Sequence, residues 1–257
     1  MRLKPVLNSV AFFVMIGMNG LANSLPLNGK TTGEVSASVP VLFTPASYVF
    51  SIWGVIYLWL LAFVVYHLLP VHRHALFVKR IGYWFLLSCV ANSVWLVCWH
   101  YEQFGLTMLV MLGLLACLIM IYRRLDVGRR RVSRWDHLLV HVPFSIYLGW
   151  VSVATLANFS IVLTVLNLDS LGLPPPIFTI LLLLIAAGLG IGMILRRREI
   201  AYPLVIAWAL VGIAVRHQET LPVIAIPAAI LACVVVSTLL LAKLKRSPEL
   251  LDGIKTS

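Results

Sequence analysis

The chain has 257 residues, 61% of them hydrophobic and only 11% charged, with a formal net charge of +11. A soluble domain carries about 25% charged residues, so an ordinary water-facing surface is excluded and lipid is the expected solvent. The positive charge does not point to nucleic acid, because the basic residues fall in short clusters between apolar runs, without aromatic interleaving or a soluble fold.

Eight apolar segments follow one another: 5–21, 45–69, 81–99, 105–122, 138–159, 176–195, 200–215 and 222–244. Most approach the ~20 residues that cross a bilayer. The expected fold class is therefore all-α, a polytopic helical membrane protein with eight transmembrane helices. Charge supports the count. With the N-terminus inside, 18 of the 20 Lys and Arg fall in inner segments, and only Lys30 and Arg216 fall outside. Without the short seventh helix the basic tail would be exported, against the positive-inside rule. The expectation is an inner-membrane protein with both termini cytoplasmic and a tail at 248–257. The first segment, preceded by Arg2 and Lys4, reads as a retained helix, since no A-x-A cleavage site follows it.

The outer connection 22–43 is long for a loop, and such loops serve as lids or as plain connectors. The second segment opens Phe43-Thr44-Pro45. Thr44 reads as an N-cap and Pro45 as a first-turn residue. The helix then carries Tyr48, Phe50, Trp53, Tyr57 and Trp59. Aromatics with polar tips at this depth need partners. His67, His72 and His74 gather at the inner edge and read as interfacial histidines, because no acidic or Cys ligand lies nearby.

The third segment places Trp84, Ser88, Asn92, Trp95 and Trp99 at steps of three or four, on one helical face. A bare amide in hydrocarbon is costly, so Asn92 makes either an interhelical hydrogen bond or a ligand contact. The arginine-rich connection 123–137 expects anionic lipid head groups as counter-charges. In the fifth segment Trp150, Ala154 and Asn158 share a face, while Gly149 and Ser152 serve helix packing. His141 reads as a polar residue near the inner interface. Beyond a seam at 167–176, Gly188 and Gly192 make a GxxxG packing face. Cys89, Cys98, Cys117 and Cys233 lie in apolar helices without a C-x-x-C pair and read as packing residues. No charged residue lies mid-helix, as ion-coupled transport would require, and no nucleophile is paired with a base.

Three of these motifs together resemble the TspO/MBR family of tryptophan-rich sensory or translocator proteins: Phe43-Thr44-Pro45 with Trp53, Asn92 with Trp95, and Tyr147-Leu148-x-Trp150-Val151-x-x-Ala154-x-x-x-Asn158. The resemblance covers about residues 1–165. It implies a TspO-like five-helix bundle over 1–165, leaving a three-helix extension at 166–247. It also implies a pocket that opens toward the first loop, lined by Trp53, Asn92, Trp150 and Ala154. Trp95 and Asn158 match the motif, and Tyr57 joins Trp53 by helical spacing. Family members bind porphyrins, so the implied ligand is a flat hydrophobic molecule of the porphyrin or haem type, with no covalently bound cofactor. Ala46 and Tyr48 depart from the family pattern, and residues 159–163 lack its sterol-associated Tyr and Arg. Alternative readings are passive transport of a small amphipathic solute, or porphyrin breakdown under light. A homodimer is left open.

Overall fold

The computed structural model describes residues 3–25, 27–72 and 74–245. Arg2, Arg73, Arg246, Lys255 and the expected tail at 248–257 lie outside them. The long helices are α1 (Leu3–Ser24), α3 (Ile52–Leu68), α5 (Trp84–His100), α6 (Phe104–Leu125), α8 (Val142–Val165), α9 (Pro175–Arg197), α10 (Ala201–His217) and α11 (Pro222–Leu244). Short helices α2 (Thr32–Ser38), α4 (Leu76–Ile81) and α7 (Arg134–Asp136) lie between them. Six helical stretches are long and apolar enough to cross a membrane, and two further apolar helices, α5 and α10, are shorter. The all-α polytopic class stands.

Packing closes α1, α3, α8, α6 and α5 into a ring. Helix α10 then packs on the outside of α8, and α9 and α11 pack on α10. Between helices in lipid the driving force is close packing rather than water exclusion, so small residues set the contacts. Gly149 of α8 is one of these. A Cβ there would lie 3.1 Å from the Tyr202 carbonyl oxygen and 3.1 Å from Val205 Cβ of α10. One turn away the Tyr202 hydroxyl donates to Ser152 Oγ at 3.0 Å. Gly149 and Ser152 thus serve helix packing as expected, and what they hold is α10. The expected face of Gly188 and Gly192 is not the one α9 uses. A Cβ at either would meet nothing within 4 Å, while one at Gly190 would lie 3.5 Å from Ile206 Cβ of α10. Cys233 also turns outward, whereas Cys89, Cys98 and Cys117 are buried.

Two expected helix starts move, each for a local reason. The third segment breaks at Gly82, whose φ of 58° with ψ of −127° is glycine's territory. The break frees a carbonyl and an amide, and one side chain repairs both. Asn8 Nδ2 donates to the Gly82 carbonyl at 3.0 Å, and the Leu86 amide donates to Asn8 Oδ1 at 3.1 Å. Asn8→Ala strands two buried backbone groups. It is expected to cost about 1–3 kcal/mol, read as a lower midpoint in thermal unfolding of the detergent-solubilised protein. The fifth segment starts earlier than residue 138. It runs from α7 through a π turn at His137–His141 into α8. Pro143 lacks the N–H of a regular ladder and crowds the turn before it, and the wider turn accommodates it.

Inside the ring, Phe63, Phe85 and Phe144 meet edge-on, with Phe63–Phe144 at 5.0 Å and Phe63–Phe85 at 5.3 Å, and Phe12 tilts against Phe85 to complete a plug. The plug fills the half of the bundle nearer the arginine-rich end. The other half is not filled in the same way.

Candidate functional site

Between the plug and the end covered by α2, the ring holds two adjoining cavities. One of about 270 Å³ is lined by Asn19, Thr32, Gly33, Phe50, Trp53, Tyr57 and Trp95. A narrower one of about 40 Å³ runs on between Trp53, Trp95, Trp99, Trp150, Ala154 and Asn158. They share Thr32, Phe50, Trp53 and Trp95 as walls. Trp53 is the centre of the aromatic lining. It stacks on Tyr57 at 5.5 Å and meets Tyr147 and Trp150 edge-on, each at 6.1 Å. Opposite, Trp95 stacks on Trp99 at 5.2 Å.

Polar atoms in this lining are unusually idle. Seven buried side-chain polar atoms among the described residues lack a hydrogen-bond partner. Four belong to residues that line the cavities, Thr44 Oγ1, Tyr57 Oη, Trp95 Nε1 and Trp150 Nε1, and two, Asn92 Nδ2 and Tyr147 Oη, lie behind the lining. Tyr147 Oη sits beside the Asn92 amide without meeting hydrogen-bond geometry. Buried polar groups are normally paired, and each exception asks for a reason. Here three of them, on the rings of Tyr57, Trp95 and Trp150, belong to residues that wall an aromatic cavity, the composition of a small-molecule site.

Of the residues expected at the pocket, Trp53, Tyr57, Trp95, Trp150, Ala154 and Asn158 line it. Asn92 stands one layer behind, fully buried, with its Oδ1 accepting 2.9 Å from Asn19 Nδ2 of α1. Asn158 is braced as well as lining. Thr107 Oγ1 of α6 donates to its Oδ1 at 3.1 Å. The sequence reading left out Asn19, Thr32 and Phe50, and it took Trp99 only as part of the stripe. No His, Cys or Met is among the residues lining either cavity. The lining therefore offers faces and edges to a flat ring but no axial ligand of those types to a haem iron.

The described residues of the connection 22–43 form an ordered cover over this end, referred to as the lid. Helix α2 sits over the cavities, started by a reciprocal capping box: the Glu34 amide donates to Thr31 Oγ1, and the Thr31 amide donates to the Glu34 carboxylate at 2.6 Å. Those donors hold the Glu34 carboxyl below the usual carboxylate range. Trp99 Nε1 donates to the Thr32 carbonyl at 3.1 Å, and Asn28 Nδ2 donates to the His100 carbonyl at 3.1 Å. Lys30 pairs with Glu102 at the rim.

The lid's second half corrects the expected helix start. Thr44 caps nothing, and Pro45 precedes the helix. The 3-10 turn Ser47–Ser51 begins only after Ala46 and leads into α3. The reason is α10, which holds this stretch in place. Arg216 Nη1 donates to the Thr44 carbonyl at 2.9 Å, and His217 Nε2 lies 2.8 Å from the Leu42 carbonyl. The Ala46 amide donates to the Gly212 carbonyl at 3.1 Å, and Trp208 Nε1 donates to the Val49 carbonyl at 3.2 Å. Four contacts from one helix fix the strip that carries Phe50 into the pocket wall. Lys30 and Arg216, the two cations that broke the inside count, are both spent on the lid.

The family described as TSPO-like protein matches residues 5–241, through α9 and α10 and most of α11. No curated protein and no solved structure matches the chain.

Proposed function

Since the chain belongs to the TSPO-like family, we propose that this multi-pass membrane protein binds a flat hydrophobic ligand, of the porphyrin class, in the aromatic pocket under α2, and senses or carries it. The reading rests on one observation above the rest: three aromatic donors without partners, on Tyr57, Trp95 and Trp150, sit in the walls of the two adjoining cavities. A conjugated ring with polar edges satisfies both halves of that lining, the faces by stacking and the idle donors by hydrogen bonds. Trp53 and Trp150 take the faces, and Asn92 Nδ2, one layer behind the lining, orients a carboxylate edge once the ligand has parted the walls.

Ligand pockets span about 300–1,000 Å³. The two cavities together sit at the low end of that range. A macrocycle therefore enters only when α2 lifts and Trp53 and Trp95 part, which merges the two spaces. In this reading eight helices span the inner membrane with the basic clusters on the cytoplasmic side, and the lid faces outward.

Titration of the purified protein with protoporphyrin is expected to quench its tryptophan fluorescence saturably. Trp53→Phe and Trp150→Phe should each weaken the apparent affinity several-fold. Quenching that rises linearly, as in empty micelles, would remove the proposal.

A further inference from the structure

A second cavity, of about 250 Å³, opens at the other end of the molecule and takes no part in the pocket above. Its polar walls are Arg80 of α4, Arg130 of the α6–α7 connection, His72, Asp136 and His141. Its remaining walls are apolar, with Leu76, Phe77 and Val140 among them. Arg80 is anchored rather than satisfied. One Nη1–H reaches the Leu125 carbonyl at 3.4 Å, and among the described residues neither Arg80 nor Arg130 forms an ion pair. The one carboxylate present, Asp136, is engaged by the Tyr66 hydroxyl at 3.1 Å. The π turn at His137–His141 carries the His141 ring at the cavity wall. His72 and Phe77 of the wall are backed by Tyr66, whose ring lies 4.0 Å from that of His72.

We propose that this cavity is a binding site for a phosphate group, and that its source is the headgroup of an anionic phospholipid. Two guanidinium groups without carboxylate partners are the donors that phosphate oxygens suit best, since a fork of N–H groups matches two oxygens at once. The apolar half of the wall gives the glycerol and first methylenes a dry surface. Basic pockets between helices at a membrane edge hold lipid headgroups in this manner. The proposal narrows a general attraction of arginine clusters for lipid to one seat, built from Arg80 and Arg130. Arg131 and Arg134 lie outside the cavity lining.

The test is lipid retention in native mass spectrometry, alongside thermal unfolding, of the full chain in neutral detergent with phosphatidylglycerol, phosphatidylcholine or inorganic phosphate added. The wild type is expected to keep one phosphatidylglycerol and to unfold at a higher temperature with it than with phosphatidylcholine. The Arg80→Gln/Arg130→Gln double variant should lose at least tenfold in retention, and Arg131→Gln/Arg134→Gln, with the same loss of charge, should not. Val132→Trp fills the cavity while leaving every charge in place, and it too should lose retention. Saturable stabilisation by inorganic phosphate alone, abolished in the first variant, supports the phosphate chemistry but moves its source from lipid to solution. Equal loss in both arginine pairs, or no preference for phosphatidylglycerol in the wild type, would overturn the site.

Discussion

Replacing Gly212 with leucine is expected to unseat the lid. A Cβ at Gly212 would lie 2.1 Å from Val49 Cγ2 and 3.2 Å from Pro45 Cβ. Val49 is fully buried and, being β-branched, has little freedom to turn away. Overpacking of this kind costs about 1–3 kcal/mol, and the cheapest relief is to push the strip 42–51 off α10. That move also breaks the Ala46 amide bond to the Gly212 carbonyl and the Trp208 bond to the Val49 carbonyl. The variant should unfold at a lower temperature, and a protease should cut the connection 22–46 several-fold faster than in the wild type. Porphyrin affinity should fall as well, because Phe50 leaves the pocket wall. Unchanged cleavage and affinity would mean that α10 does not position the lid. Arg216→Gln removes one bond at the same strip without a clash, and a smaller shift in the same direction is expected.

The second large effect is expected for Trp53→Ala. Its ring meets Tyr57, Tyr147 and Trp150 at once. Each aromatic pair contributes about 0.5–1.5 kcal/mol beyond its contact area, and a buried tryptophan truncated to alanine costs about 3–5 kcal/mol. Trp53 already borders a cavity and is half-buried, so the loss should fall at the lower end of that range. Binding should suffer more than folding. The wall shared by the two cavities disappears, and with it one stacking face. A tenfold loss of affinity corresponds to about 1.4 kcal/mol, and at least that much is expected.

Much of the lining of the candidate cavities is legible in the sequence, and the reason is periodicity. Residues at steps of three and four share a face, so the stripe Trp84 to Trp99 and the triplet Trp150, Ala154 and Asn158 could be assembled on paper. Asn92 pointed to a polar partner, and it has one in Asn19. What periodicity cannot supply is the neighbour. Nothing local to Thr44 and Pro45 says that α10, more than 150 residues on, keeps them extended, and a cap was the natural local reading. Two signals were nevertheless present. Arg216 stood on the wrong side of the charge count, and such an exception asks for a structural use, which it has at the Thr44 carbonyl. Thr31 and Glu34 carry the spacing of a capping box, which marks α2 inside a stretch first read as a loop. The last three helices looked like an addition to a five-helix pattern. The TSPO-like match runs through them, and Gly149, inside the family motif itself, is the residue that lets α10 approach.

The proposed function requires one flat ligand among Trp53, Trp95 and Trp150 beneath α2. Native mass spectrometry of the intact protein titrated with protoporphyrin tests it most directly, with Trp53→Ala as the matched variant. A single adduct that saturates at one ligand per chain and is lost in Trp53→Ala is the predicted result. Adducts of unlimited stoichiometry, or an equal single adduct in wild type and variant, would contradict it.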